Sequence, residues 1–198
     1  MSMQYWGPRL ILRGTSTESD VQQFAGLMRL THSEMHKISE ESEENVSRTV
    51  AWQIKQGLNM YYVEESVSGC NFLQVFGDTS AGVDAITVVL IAVFQPWTWI
   101  EVLGAVEAAQ GTENKAAAIV RAGVASPGLF DQQFYDCFSL AIRDDNSRIR
   151  EAGIWACAYS HWAEFKPLLE GVESSDPIEQ LRTDAKIILD VSYREVEP

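Results

Sequence analysis

The chain predicts a mostly α-helical protein with a small α+β portion at its N-terminus, and three observations lead there. Ile149-Arg150-Glu151-Ala152-Gly153-Ile154 and Leu181-Arg182-Thr183-Asp184-Ala185-Lys186 open two similar amphipathic stretches about 32 residues apart, a spacing found in arrays of paired helices. After Pro96, helical spacing continues nearly to the end with short turns, which makes successive helices antiparallel neighbours. Between Met60 and Phe76 the period changes, and aromatic and β-branched residues dominate. The division expected is 1–82 for the α+β portion, with a β-hairpin near 60–77, and 83–198 for the helical portion packed as one unit.

In order along the chain, Pro8 to Arg13 has strand character and ends at Gly14. Thr17 and Asp20 are spaced as a capping box with Asp in place of Glu, and Val21, Phe24, Leu27, Met28 and Leu30 then recur at helical spacing. The acidic run Ser39 to Glu44 suits the start of a second helix, with Val46, Val50, Trp52, Ile54 and Leu58 as its apolar content and a stop at Gly57-Asn59. Met60–Glu65 and Asn71–Phe76 form the hairpin strands around Ser66–Gly69, and Gly77–Gly82 is a loop. Val83–Phe94 fits either a third strand, through Thr87-Val88-Val89, or a buried helix capped near Asp84; the helical continuation favours the helix. Helices are then expected over Trp97–Gln110, Asn114–Ala125, Phe130–Arg143, Ser147–Tyr159, Trp162–Val172 and from Asp176-Pro177 through Val191.

At 198 residues with 46% hydrophobic and 22% charged residues, the composition is that of a folded globular chain. The formal charge is −13, with both halves acidic, which disfavours nucleic acid and anionic membrane surfaces and favours a basic protein partner. Cys70, Cys137 and Cys157 are odd in number and widely spaced, as expected of buried thiols in a reducing compartment, and the location expected is cytoplasmic. Met1–Trp6 shows no basic region followed by an apolar stretch, and the apolar run Ala85–Phe94 is about half of the ~20 residues a membrane span needs.

Residues 112–192 resemble HEAT-type repeats, which use one antiparallel helix pair per unit. The resemblance rests on Asp145-Asn146-Ser147-Arg148-Ile149-Arg150-Glu151-Ala152-Gly153 as a turn followed by an apolar-Arg step and a small residue, on Pro167-Leu168-Leu169 in a second helix, and on Ser175-Asp176-Pro177 as the next turn. The preceding unit, with Ile119, Arg121 and Ala122, matches less well. Independently of the family, Ala152, Gly153, Ala156 and Ala158 permit close helix approach, while Trp155 and Trp162 fill gaps.

No motif names a reaction. His32, His36 and Glu40 would share one face of a continuing helix within metal-ligand reach, but Glu34 is displaced from the place that an HExxH site requires, and an exposed polar face explains the set. Cys157 and His161 have the types for a nucleophilic pair, yet Trp155-Ala156-Cys157-Ala158 reads as helix core. Gly77–Gly82 lacks the lysine of a phosphate-binding loop. Arg143, Arg148, Arg150 and Arg182 form the densest basic set and are expected to pair at repeat joints with Asp144, Asp145, Asp176 or Asp184. Trp97 and Trp99 flank Thr98, so one of them is a candidate partner contact.

The function expected is non-enzymatic binding of a basic protein, for instance by an immunity protein that covers a toxin or nuclease. Glu40, Glu41, Glu43, Glu44, Glu64 and Glu65 would steer the encounter, and no cofactor is expected. Two alternatives stand beside it: a small-molecule enzyme or cofactor-binding protein using His32, His36 or Tyr62, and an adaptor in a larger assembly.

Overall fold

The structure is a computed structural model that describes residues 4–14, 16–33, 48–65 and 68–193. It is mostly helical with an antiparallel sheet near the N-terminus. The chain divides into two compact units, 1–97 and 98–198. The long run of helices begins at Ser80, and its first helix belongs to the first unit.

The first unit contains β1 (Tyr5–Trp6), β2 (Leu10–Ile11), α1 (Glu18–Leu27), β3 (Thr31–Ser33), β4 (Arg48–Lys55), β5 (Leu58–Glu65), β6 (Cys70–Gly77) and α2 (Ser80–Phe94). The sheet order is β1-β6-β5-β4-β3, with β2 also paired to β6. The expected hairpin is present as β5–β6, with Tyr62 opposite Leu73 and Met60 opposite Val75. The cap of α1 forms as the spacing predicts: the Thr17 backbone N–H and hydroxyl both donate to Asp20 Oδ2, each at 2.7 Å.

Residues 48–55 correct the expected second helix: they are a strand. Val50, Ile54 and Leu58 lie four apart, a spacing that suits one face of a helix and one face of a strand equally. Trp52 breaks the tie, because two residues from Val50 it falls across a helix but on the same face of a strand. Val50 and Trp52 are both buried, in register with Tyr62 and Met60. Gly57, at φ +73°, makes the hairpin turn where the sequence suggests a helix stop.

Helix α2 settles the ambiguity over Val83–Phe94. Its buried residues Val83, Thr87, Leu90 and Phe94 recur at helical spacing, and the Thr87 hydroxyl donates to the Val83 carbonyl at 2.8 Å instead of joining a ladder. Val83, Leu90 and Phe94 join Val21, Val50, Trp52, Met60, Tyr62 and Leu73 in the core of this unit.

The second unit holds α3 (Trp99–Ala108), α4 (Thr112–Ala125), α5 (Gln132–Ile142), α6 (Ser147–Ser160), a single 3-10 turn (Ala163–Phe165), α7 (Lys166–Ser175) and α8 (Glu179–Ser192). Helices pair in sequence as α3–α4, α5–α6 and α7–α8, while α4 packs on α6 and α6 on α8. The small residues explain the closeness of this layer. A Cβ added to Gly123 would lie 2.6 Å from the Ala156 Cα, and one added to Gly153 would lie 2.8 Å from the Ile142 backbone nitrogen. Ile149 and Leu181, the apolar residues opening the near-duplicate, are both buried in the core. Phe134, Phe138, Phe165 and Trp162 fill the space between helices as a chain of ring contacts. Among the described residues, no single helix is long and apolar enough to cross a membrane.

Candidate functional site

The joints between the helix pairs are built by one rule of position. Lys115, Arg150 and Arg182 are each the fourth residue of their helix, α4, α6 and α8. Asp144 and Asp176 each lie three residues before the helix that follows, and each accepts a backbone N–H two residues on, from Asn146 and Ile178, both at 2.9 Å. Those short turns hold the carboxylates at the ends of α6 and α8, where helix N-termini favour negative charge. The basic residue of α4 then reaches the aspartate ahead of α6, and that of α6 the aspartate ahead of α8.

Arg150 makes this contact in full. Its Nε donates to Asp176 Oδ2 at 2.7 Å and its Nη2 to Oδ1 at 3.1 Å, while Nη1 reaches the carbonyls of Asp144 and Asp145, each at 3.1 Å. The side chains are only 12% and 5% exposed. Hydrogen bonding from Arg150 holds the Asp176 carboxyl below the usual carboxylate range, and Asp176 in turn raises the Arg150 guanidinium. Arg182 repeats the backbone half of the arrangement by donating to the Asp176 carbonyl at 2.6 Å. The expected assignment of arginines to joints therefore holds for Arg150, and Arg148 pairs with Glu151 and Glu113.

Lys115 makes a weaker version of the same bridge, to Asp144 at 3.5 Å with the side chains 43% and 28% exposed. A compact ammonium gives one contact where the guanidinium fork gives two. Beside this bridge lies a groove of about 580 Å³ between α3, α4 and α5. Leu103, Val106, Ile119 and Leu140 contribute its apolar lining, and Glu107, Gln133, Asp136 and Cys137, with Lys115 and Asp144 of the bridge itself, its polar one. Burial first, then the Glu107 charge, pushes the Cys137 thiol up to about 11, with Lys115 opposing. This thiol is protonated near neutral pH and is a poor nucleophile. A more open depression of about 530 Å³ lies at the Arg150 joint, lined in part by Arg143, Arg150, Leu168 and Asp176.

The sequence-predicted candidates are placed elsewhere. His32 sits in β3 opposite Trp52, so the helical His32–His36–Glu40 stripe is not formed at its first member; His36 and Glu40 lie outside the described residues. Among the described residues, no group of three or more His, Cys, Asp or Glu is arranged to hold a metal. Glu41, Glu43 and Glu44 also lie outside the described residues. Glu64 is engaged internally: it faces Arg48 across the β4–β5 pair at 3.7 Å and accepts the Tyr62 hydroxyl at 3.1 Å. Arg48 also bridges Glu18, and Glu65 accepts the Ser68 backbone N–H at 2.6 Å. Desolvation, then the Glu64 charge, drives the Tyr62 hydroxyl upward, which makes it a hydrogen-bond donor and not an acid near neutral pH.

Trp97 lies in the first unit, where its backbone N–H donates to the Ile11 carbonyl at 2.9 Å and the Arg13 guanidinium lies 5.3 Å from its ring centre. Trp99 begins α3 in the second unit, 45% exposed, with its ring edge-on to Phe134 at 6.2 Å. Cys157 is fully buried and its thiol is pushed well up by that burial, while His161 Nδ1 lies 3.0 Å from the Ser192 hydroxyl. Gly77–Gly82 turns into α2, with Thr79 accepting the Gly82 N–H at 3.3 Å.

Sequence reasoning missed Lys115, Glu107, Asp136 and the groove they border. The signal was available: counting from the helix start, instead of over a fixed 32-residue interval, aligns Lys115 with Arg150 and Arg182. In comparisons with known proteins, no family model matches the chain, and neither a curated protein nor a solved structure is found that matches it.

Proposed function

We propose that the protein is a non-enzymatic binding module whose second unit is a HEAT-like stack and whose partner is a basic protein. The observation that carries this reading is the recurrence of one joint at one helix position, Lys115–Asp144 and then Arg150–Asp176, with Arg182 in the same place again. A joint repeated this way stacks helix pairs side by side, and stacked pairs present surfaces suited to macromolecules. Residues 98–198 carry nine Lys and Arg against seventeen Asp and Glu, which attracts a basic partner and repels phosphate backbones. A concrete version is an immunity protein that covers the active surface of a basic toxin or nuclease.

Affinity capture on the full chain, from lysates of the organism that makes it, tests the reading. The expected result is one dominant basic protein whose retention falls as salt rises from about 50 to 500 mM, as screening demands. Retention of a small molecule in place of a protein, or of an acidic protein insensitive to salt, contradicts it.

A further inference from the structure

We propose that the groove between α3, α4 and α5 receives an arginine or lysine side chain of the basic partner, its aliphatic stem on the apolar wall and its cationic head at the acidic rim. The inference rests on the protein-binding reading above and names where and how the partner is held. At about 580 Å³ the groove falls within the range of roughly 300–1,000 Å³ common to ligand sites, with room for a long side chain and part of its neighbour. Leu140 is 72% exposed on its wall, a large apolar side chain that the stem of an arginine or lysine would cover.

Charge selects the occupant. Glu107 and Asp136 stand exposed at the rim, and Asp136 accepts from Gln132 at 2.8 Å, a neutral donor that leaves its charge uncompensated. Lys115 is the cation in the lining, and its ammonium lies against Asp144. The rim therefore keeps an excess of negative charge beside an apolar wall, which complements a cation on a hydrocarbon stem. The depression at the Arg150 joint is lined by Arg143 and Arg150 as well as Asp144, Asp145 and Asp176, and there Asp176 is already paired with Arg150.

The test uses the isotope-labelled full chain with hexylguanidinium as the probe and hexanoate as the control of opposite charge, followed by amide chemical shifts at low salt. Hexylguanidinium is expected to shift Leu103, Cys137 and Leu140 while hexanoate does not. The Glu107→Gln/Asp136→Asn chain is expected to bind it roughly ten-fold more weakly, as loss of a charged partner implies. Both substitutions are isosteric and on exposed residues, and an unchanged spectrum outside the groove verifies the fold. Equal binding of hexanoate, shifts confined to other regions, no shift, or undiminished binding by the substituted chain each overturn the proposal. Capture of the basic partner by wild-type and substituted chains alike overturns the groove assignment and leaves the protein-binding reading standing; no capture by wild type overturns that reading itself.

Discussion

At one joint of the second unit a guanidinium grips a carboxylate through two hydrogen bonds and is nearly shut off from water; at the other, an ammonium reaches its carboxylate at the edge of hydrogen-bonding distance and stays wet. Both use the fourth residue of a helix and an aspartate three residues ahead of the second helix after it. The difference lies in the side chain. A fork satisfies both carboxylate oxygens and reaches two backbone carbonyls, so it can be desolvated, whereas a point charge on a flexible stem keeps its water. Equivalent positions thus give one joint that fixes the stack and another that leaves charge and apolar surface available beside it.

The largest effect expected from breaking this comparison is at Asp176. Asp176→Ala leaves Arg150 buried without its carboxylate and should cost about 3 kcal/mol in urea unfolding followed by far-ultraviolet ellipticity. The pH dependence follows in sign. Because the Asp176 pKa is depressed in the folded chain, its contribution is present above the usual carboxylate range and is lost as pH falls through and below about 4, so wild type and variant should converge in acid.

Next in size is Gly123→Ala, which places a Cβ against the backbone of α6 and should cost about 2 kcal/mol in the same measurement. An unchanged midpoint would show that α4 and α6 are not packed this closely. Asp184→Asn runs the other way. Asp184 is buried at the place occupied by Ala152 in the near-duplicate, accepts from Gln180 at 2.8 Å, and burial raises its carboxyl above the usual range. A raised folded pKa means that ionisation costs stability, so the amide should stabilise the chain at pH 7 by about 1 kcal/mol or less, and that gain should shrink as pH falls through the raised pKa and be gone below about pH 4. Smallest of all is Lys115→Ala, which removes a largely hydrated pair and should change stability by less than about 0.5 kcal/mol.

The helices of the second unit were readable because small residues, turn residues and basic residues mark their contacts and ends, with Gly153 and Ala156 at close contacts and Asp176 beside a turn. It misled at 48–55, where the four-residue spacing of Val50, Ile54 and Leu58 fits both periods and the acidic residues before it resemble a helix start; Trp52 carried the deciding phase. Thr87 similarly looks like a strand residue until its hydroxyl is bonded to its own helix. The candidate site was less legible than the fold. Sequence does not show that Glu64 faces a cross-strand arginine or that Glu65 accepts a loop amide. Glu107, Asp136 and Lys115 belong to three different helices, and only packing brings them to one groove.

A double-mutant cycle run at both joints tests the central claim most directly. Arg150→Ala and Asp176→Ala, singly and together, should give a coupling energy of about 2 kcal/mol, whereas Lys115→Ala and Asp144→Ala should give less than about 0.5 kcal/mol. Equal coupling at the two joints, or a larger value for the lysine pair, would contradict the account of one closed joint and one open joint.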